Sequence, residues 1–217
     1  GSEKSLIEYR SCVESMFPNW YPANERPVTL SMNSELKDSS AQYWNAESAH
    51  VYKTYERKIA PLIEQDQCKH FSVFALAPQP LLIQFGALLT DKISVETYQL
   101  HREPKGWRWQ EKPEDFEFTI HKPEKFDGAT PHNDFMKSKT QLSAFRKSVR
   151  QLMVDISNMH GNDTPLHIFP VMPVSCNIEL GRARMPKADM PWIIYDHDFE
   201  TNEFNKSVVL QGDMHVR

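Results

Sequence analysis

The sequence predicts an α/β domain built from two similar halves, each with a buried strand followed by a helix. Short apolar runs of strand length alternate along the chain with stretches of helical periodicity, which is typical of parallel α/β units. In addition, sliding the chain by 95 residues superposes two such units without a gap. We interpret this as an internal duplication, because the order of the predicted elements agrees as well. Identical pairs in this alignment include Phe74 and Phe169, Pro78 and Pro173, and Gly86 and Gly181.

Length and charge exclude several classes of protein. The 217 residues suffice for one domain, or for two small halves packed as one. The 25 basic and 29 acidic side chains leave a formal charge of −4, which argues against a nucleic-acid binder that relies on overall positive charge. A local basic pocket for a small anion is still compatible with this net charge. The longest apolar runs, such as 71–77, are far shorter than the ~20 residues of a membrane span, so we expect no membrane partner.

The cysteines and the chain start indicate a compartment and a context. Three cysteines without a CxxC pair indicate neither a disulfide framework nor a zinc site. We therefore expect a reducing, cytoplasmic compartment. Gly1-Ser2 looks like an expression remnant, and no signal segment follows it. We expect a fragment cut from a longer protein.

The elements of the first half follow from their local patterns. Pro18, Pro22 and Pro27 predict an irregular lead-in, because proline removes a backbone donor and fixes φ. Ser40 is one of the candidate N-caps of the next helix, and Pro61 should end or kink that helix. The predicted elements are, in order, the lead-in to about residue 28, a short strand over 26–32, a helix over 39–64, a buried strand over 71–77, a helix over 81–89, a strand over 93–101, a turn over 106–109 and a strand over 116–120.

The second half contains the clearest helix. Its apolar residues recur every three or four positions from Leu142 to Met159 and form one buried stripe. Ser138 and Gln141 fit a capping box, and Gly161 suits the C-terminal end. The remaining predicted elements are a buried strand over 166–172, a helix through 181 and strands over 192–195 and 208–211.

The two turns that begin with proline are the first candidate site. In α/β units, strand-to-helix turns lie at the carboxyl edge of the sheet, where ligands usually bind. Helix N-termini there offer N–H groups and a positive dipole end to phosphates. Pro78–Leu81 and Pro173–Cys176 would face one another across a shared cleft, which suits a repetitive ligand such as a cyclic di- or trinucleotide; proline as simple punctuation of each strand is the alternative. The late glycine of each helix predicts close packing of helix on strand.

Catalytic motifs are largely missing from the sequence. It contains no GxxxxGK[ST], GxSxG, HExxH or GxGxxG pattern. Asp196-His197-Asp198 is the densest candidate metal cluster, but neighbouring strand residues point to opposite faces, which favours a solvated strand end. Cys176, near a predicted helix start, has a reason for a lowered pKa. We nevertheless favour a buried structural cysteine.

A predicted hairpin combines aromatic and basic side chains. It places Tyr98 and Trp109 near Arg102, a combination that can stack on a base and bind its phosphate. The alternative is a hairpin whose tryptophans cover the core and whose arginines are solvated. Arg184 and Lys187 belong to a local basic patch, which is either a ligand rim or a solvated loop.

With these motifs, residues 68–200 resemble the SAVED domain, the sensor found in effectors of bacterial CBASS antiphage systems. The first half carries the text FALAPQP with Gly86, then YQLHR and WRW. The second half carries HIFPVMP, ELGR and Tyr195-Asp196. The lead-in and the region of Lys187 look most like the subset in which SAVED follows an HNH endonuclease domain.

This resemblance implies a fold and a function. The fold is a fusion of two CARF-like, Rossmann-type halves, about 38–130 and 131–217, after a lead-in over 1–37 from an effector domain. The family binds cyclic oligonucleotides made by a partner nucleotidyltransferase during phage infection, and binding drives SAVED domains to assemble and activate the effector. For the HNH-linked subset, the implied ligand is a cyclic dinucleotide, such as a cGAMP isomer, and the implied output is DNA degradation.

The motifs and the resemblance together lead to a set of expected ligand contacts. Helix N-termini would bind phosphates, the aromatic rings would stack on bases, and basic side chains would be charge partners. The predicted site residues are Gln79, Pro80, Leu81, Tyr98, Arg102, Trp109, Pro173, Val174, Ser175, Arg184, Lys187 and Tyr195. We expect no catalytic residue, metal or other cofactor in this chain. We expect a divalent metal and contact with DNA only in the fused nuclease domain. We expect the whole protein in the bacterial cytoplasm.

Two rival functions and one departure from the family pattern accompany this expectation. A ring nuclease would cleave the cyclic nucleotide, but the sequence offers no obvious catalytic pair for it. A pure oligomerisation module would need no ligand. The family has further strand material after the WRW hairpin, where this chain has a short polar segment over 122–132. Site predictions near 120–135 depend on that segment.

Overall fold

The computed structural model describes residues 7–32, 40–91, 93–110 and 136–212. Six helices and five strands lie in these ranges. The helices are α1 (Tyr9–Met16), α2 (Ala41–Lys58), α3 (Ala60–Glu64), α4 (Gln79–Leu89), α5 (Lys139–His160) and α6 (Val174–Ala183). The strands are β1 (His70–Phe74), β2 (Ser94–Tyr98), β3 (Leu166–Ile168), β4 (Trp192–Asp198) and β5 (Glu203–Leu210).

The strands form two small sheets, one in each half. β1 and β2 pair in parallel, with His70 beside Ser94 and Phe74 beside Tyr98. β3 and β4 also pair in parallel, and β5 adds to β4 in antiparallel orientation. Each half therefore repeats the order of helix, strand, helix and parallel strand. The predicted α/β class with two duplicated halves is confirmed.

Helices α4 and α6 pack against each other at the pseudo-twofold axis between the halves. A side chain on Gly86 would overlap the carbonyl oxygen of Ile178, and one on Gly181 would overlap the carbonyl oxygen of Ile83. Gly86 and Gly181 are repeat partners, as are Ile83 and Ile178, so the same contact is made twice. The predicted packing of helix on strand is wrong. Each glycine lets one helix approach the other, because only a residue without a side chain fits against the neighbouring backbone.

The longer helices begin and end at the residues that the sequence predicts. The Ser40 side chain caps α2, and Pro61 lies in the first turn of α3, where the chain has already left α2. Ser138 and Gln141 form the capping box of α5. Gly161 ends α5 with a φ of +72°, a conformation that glycine adopts without strain.

Two groups of buried side chains hold the halves together. The main core gathers residues of α2, α4, α5, α6 and the second sheet, among them Trp44, Ile83 and Trp192. A second core group joins the lead-in to the first half and the start of α5. Its buried members are Cys12, Tyr98, Trp107, Trp109, Met136, Leu142 and Cys176.

The lead-in differs from its prediction. It begins with helix α1, since its prolines follow Met16 and Cys12 packs into the second core group. Residues 26–32, all described, form no strand. Trp20 stacks on His70 with ring centroids 3.5 Å apart and donates a hydrogen bond to Glu96 at 3.1 Å. The aromatic anchoring of the lead-in is therefore real, although the segment is partly helical.

Strand bounds also differ from their predictions. β1 ends at Phe74 rather than at residue 77, and β5 begins at Glu203, because it pairs along nearly the whole of β4. The predicted strand over 116–120 and the polar segment over 122–132 lie outside the described residues. The predicted boundaries near 37 and 130 also fall outside them and stay predictions. No helix in the described part of the chain is long and apolar enough to span a membrane.

Candidate ligand site

The turns before α4 and α6 lie side by side. Pro78 and the buried Pro173 are the N-caps of these helices, so Gln79 and Val174 each begin one. The side-chain oxygen of Gln79 accepts a hydrogen bond from the backbone N–H of Met172 at 3.1 Å. It accepts another hydrogen bond from the side-chain amide of Asn177 on α6, at 3.2 Å. The two turns thus meet at one edge of the molecule, as the repeat predicts.

A second amide, that of Gln99, connects the first half to the start of α6. Its side-chain oxygen accepts hydrogen bonds from the backbone N–H and from the hydroxyl of Ser175, each at 3.1 Å. Gln99 directly follows β2, so the carboxyl end of that strand touches the N-terminus of α6. The positive end of the α6 dipole therefore faces the first half across a neutral side chain.

Two of the backbone donors predicted to bind phosphate, the N–H groups of Leu81 and Ser175, are engaged within the protein. Pro80 has no N–H, and the N–H of Leu81 donates to the carbonyl of Pro78 at 3.1 Å. The N–H of Ser175 donates to Gln99. A charged phosphate oxygen accepts a stronger hydrogen bond than an amide oxygen does. Ser175 itself is fully buried, so a phosphate would reach its N–H only where the Gln99 side chain moves aside.

Tyr98 and Trp109 lie in the second core group. Tyr98 is 1% exposed, and its ring stacks on Phe74 with centroids 4.2 Å apart. Trp109 is 9% exposed. This placement argues against the base-stacking role predicted for both rings, because a base needs an open ring face. The alternative, a hairpin whose tryptophans cover the core, is confirmed.

The predicted charge partners are spread over the molecule. Arg102 is exposed in the turn that follows β2. Arg184 follows the C-terminus of α6, is 3% exposed and donates to the carbonyls of Leu210 and Gly212. Because a ten-residue helix is about 15 Å long, Arg184 and the exposed Lys187 lie at the far end of α6. Arg184 therefore tethers the end of β5, which argues against a ligand contact.

Tyr195 is the predicted aromatic site residue that keeps an accessible ring. It is half-buried, its ring stacks on Phe169 at 4.5 Å, and its hydroxyl lies 2.9 Å from Nδ1 of His167. Phe204 meets Phe169 edge-on at 5.1 Å. We call His167, Phe169, Tyr195 and Phe204 the outer aromatic group. Sequence reasoning missed all of it except Tyr195, although the repeat alignment, which pairs Phe169 with Phe74, was a signal.

A cavity of about 300 Å³ lies at the opposite, amino end of β2. It is lined by Asp91, Ile93, Ser94, Val95, Arg146, Arg150 and Arg182. The fully buried Glu179 beside it accepts hydrogen bonds from Arg146 at 2.6 Å and from Arg182 and Thr97 at 3.1 Å. Arg182 also donates to two backbone carbonyls of the first half. Protein acceptors already take guanidinium donors of Arg146 and Arg182, so these two side chains form a polar joint between the halves.

Two further candidates for chemistry have structural roles. Cys176 is fully buried, and burial raises its thiol pKa, which is the opposite of activation. The preferred interpretation of a structural cysteine is confirmed. Asp198 closes the turn after β4 by accepting a hydrogen bond from the N–H of Glu200 at 2.8 Å. Within the described ranges, no three His, Cys, Asp or Glu side chains are grouped in a way that would hold a metal ion.

Comparison with protein families identifies the fold. The model of the "SMODS-associated and fused to various effectors sensor domain", SAVED, matches residues 51–130 and 125–210. Together the two matches span well over half of the chain. The chain belongs to the SAVED family. The two matches correspond to the two halves of this SAVED chain, which supports the duplication. No curated protein matches it in sequence.

Solved structures extend the comparison to the fold. The SAVED chain is similar to the Cap4 SAVED/CARF-domain containing receptor of Acinetobacter baumannii, with a TM-score of 0.55 and 13% identity, over 79% of this chain and 42% of the receptor. The same receptor with the cyclic trinucleotide 2′3′3′-cAAA gives a TM-score of 0.52 and 13% identity, over 79% of this chain and 44% of the receptor. At this identity the likeness shows a shared SAVED/CARF fold. The SAVED chain spans less than half the length of these receptors.

Proposed function

We propose that this SAVED domain is the binding module of a cyclic-oligonucleotide sensor, and that the ligand binds where the turns before α4 and α6 meet. The observation that carries the proposal is the junction of two equivalent helix N-termini bridged by Gln79 and Gln99. A cyclic nucleotide carries several phosphates in one ring and can present one to each helix. The solved Cap4 receptor with a cyclic trinucleotide, which has a similar fold, supports this ligand class.

The two glutamines suit a site that exchanges internal hydrogen bonds for ligand contacts. An amide group has both an acceptor oxygen and two N–H donors. A phosphate that replaces the Gln99 oxygen at Ser175 can then accept from the rotated Gln99 amide. Because Gln79 and Gln99 belong to the first half and their partners to the second, binding changes contacts across the pseudo-twofold axis.

The ligand and the output are finer parts of the same proposal. The resemblance to the HNH-linked subset supports a cyclic dinucleotide such as a cGAMP isomer, whereas the Cap4 complex supports a larger ring. In this proposal, binding drives self-association, which activates a fused DNA endonuclease in the bacterial cytoplasm. The chain itself binds the ligand and does not cleave it.

Thermal unfolding against a panel of cyclic di-, tri- and tetranucleotides tests the proposal. A ligand at about 100 times its dissociation constant stabilises by about 2.7 kcal/mol, which at this size raises Tm by several degrees. Gln79→Ala and Gln99→Ala should each weaken binding about tenfold, equivalent to about 1.4 kcal/mol. Gln67→Ala, an exposed glutamine away from the turns, is the matched control and should bind as the wild type does.

Three outcomes would count against the proposal. A folded sample that no cyclic nucleotide stabilises would remove the sensor function. Equal stabilisation by linear dinucleotides would remove the requirement for a ring. Recovery of linear product after incubation would indicate a ring nuclease instead.

A further inference from the structure

The outer aromatic group forms an ordered surface that is open to solvent. Phe169 and Tyr195 stack with planes 15° apart, and Phe204 packs against the edge of Phe169. Phe169 is nevertheless 50% exposed and Phe204 is 44% exposed. The rings therefore hold one another in place while part of their surface stays free for a partner.

The same face of the second sheet carries a cation. Tyr195 pairs with Lys206 across the strands, and His197 pairs with Phe204. Paired residues on neighbouring strands point to the same face, so Lys206 stands beside the outer aromatic group. The acidic residues of β4 and β5 alternate with these positions and point to the other face; they are Asp196, Asp198 and Glu203. Aromatic rings beside a cation, with acids turned away, suit a nucleotide, which joins a flat base to an anionic phosphate.

The outer aromatic group lies close to the turns that meet at the candidate site. Phe169 directly follows β3, and Met172, three residues on, donates its backbone N–H to Gln79. Pro173 then caps α6. Three residues of chain span at most about 11 Å. A base on Phe169 and a phosphate at the start of α6 can therefore belong to one cyclic nucleotide.

We propose that Phe169 and Tyr195 form the base-stacking subsite of the cyclic nucleotide, with Lys206 as a phosphate contact. This inference rests on the proposed function and adds the residues that recognise the base. Because the two rings are already stacked, little side-chain freedom is lost when a base packs on Phe169. The Tyr195 hydroxyl and the His167 ring can exchange hydrogen bonds with the edge of that base.

The test compares Phe169→Ala with the matched control Phe199→Ala. Both remove an exposed phenyl ring, but Phe199 is 89% exposed in the turn after β4 and reaches Phe204 only through the ring of His197. Titration calorimetry would measure the Kd of each variant for the cyclic di- and trinucleotides. We expect Phe169→Ala to raise Kd about tenfold, through the loss of one stacked base, and Phe199→Ala to leave it unchanged. Thermal unfolding checks that both variants fold.

Two further variants report on the base and on the phosphate separately. Phe169→Trp keeps a stacking surface, so it should bind at least as tightly as the wild type, and a stacked base should quench its added fluorescence. Lys206→Ala should raise Kd severalfold and weaken the dependence of Kd on salt, because it removes a screened charge contact.

The outcomes separate this inference from the proposed function. An unchanged Kd in Phe169→Ala, beside a wild-type chain that binds, would overturn the inference and leave the proposed function standing. A wild-type chain that binds none of the panel would overturn both. Loss of self-association in Phe169→Ala at unchanged Kd, measured by analytical ultracentrifugation, would overturn the inference in favour of a second copy docking on this face.

Discussion

The Phe–Tyr stacks of the two halves differ in what covers them. In the first half, Phe74 and Tyr98 stack at 4.2 Å beneath Trp107, and α1 packs into the same core group, so Tyr98 is buried. In the second half, Phe169 and Tyr195 stack at 4.5 Å, and half of Phe169 stays exposed. The repeated unit has kept its internal contact while its outer partners diverged. Similar local structure can therefore form part of the core in one half and an exposed aromatic surface in the other.

A second pair of repeat partners shows the same divergence in polar contacts. Gln84 of α4 donates a hydrogen bond to the carbonyl of Ser48 on α2 at 3.0 Å. Glu179, its partner on α6, binds Arg146 on α5 at 2.6 Å. Each side chain connects its helix to the long helix of its own half. The first half does this with a neutral hydrogen bond, and the second half with an ion pair whose carboxylate is buried and whose guanidinium is partly exposed.

The largest expected effect is a loss of stability when the side chain of Glu179 is removed, compared with removal of the side chain of Gln84. Glu179→Ala leaves Arg182 buried without its carboxylate, and loss of one partner of a buried ion pair costs about 3–5 kcal/mol. Gln84→Ala removes a neutral hydrogen bond and should cost about 1–2 kcal/mol. Urea denaturation of both variants measures the two free energies of unfolding. Glu179→Gln, which copies the first half, should fall between them; equal losses for Glu179→Ala and Gln84→Ala would show that the ion pair adds nothing.

The next effect concerns the side chains that pack edge-on against the two Phe–Tyr stacks. Trp107 is buried against Phe74, and truncation of a buried tryptophan costs about 3 kcal/mol or more. Phe204 occupies the corresponding edge-on position against Phe169 but is 44% exposed. Phe204→Ala should therefore cost less than about 1 kcal/mol. Thermal unfolding of Trp107→Ala and Phe204→Ala compares them directly. A comparable drop in Tm for both would mean that the second stack is as firmly covered as the first.

The smallest effect is a pH dependence that arises in the first half, at His70. Burial beneath Trp20 lowers the pKa of His70, with Lys139 and Arg182 adding to the effect and Glu96 opposing it. Below the unfolded value of about 6.5, the unfolded chain then binds more protons than the folded chain does. Stability should therefore rise with pH through the window just below about 6.5 and fall as the solution is acidified.

Nuclear magnetic resonance titration of the His70 ring checks this directly. Trp20→Ala exposes the ring and should return its pKa toward the ordinary value. The free energy of unfolding in urea should then fall less between about pH 8 and pH 5 in this variant than in the wild type. A His70 pKa above about 6.5 in the intact chain would show that Glu96 outweighs burial.

Local patterns in the sequence were enough to predict most elements. α5 follows from its apolar stripe and its capping box, and α4 and α6 from the runs that begin after Pro78 and Pro173. These signals involve residues only a few positions apart. Helix α1 and the start of β5 were predicted wrongly because distant partners stabilise them. Cys12 packs with Tyr98 in one core group, and β5 pairs along β4.

The candidate site was predictable only in part. Gln79 and Ser175 were expected in two turns that meet, and the structure brings those turns together. Gln99 could not be found from local sequence, because its role depends on a contact with Ser175 that is 76 positions away. Tyr98 and Arg184 were selected as residue types that bind nucleotides. Both are buried against residues that no nearby pattern identifies.

The duplicated α/β order, the helix caps and the two turns follow from local sequence, since periodicity, capping and proline act over a few residues. The helix-to-helix contact of Gly86 and Gly181 depends on long-range packing, as do the closed Phe74–Tyr98 stack and the open Phe169–Tyr195 stack. Each is decided by which distant segment packs over a given face. Two repeated segments with the same local pattern can therefore acquire opposite exposure.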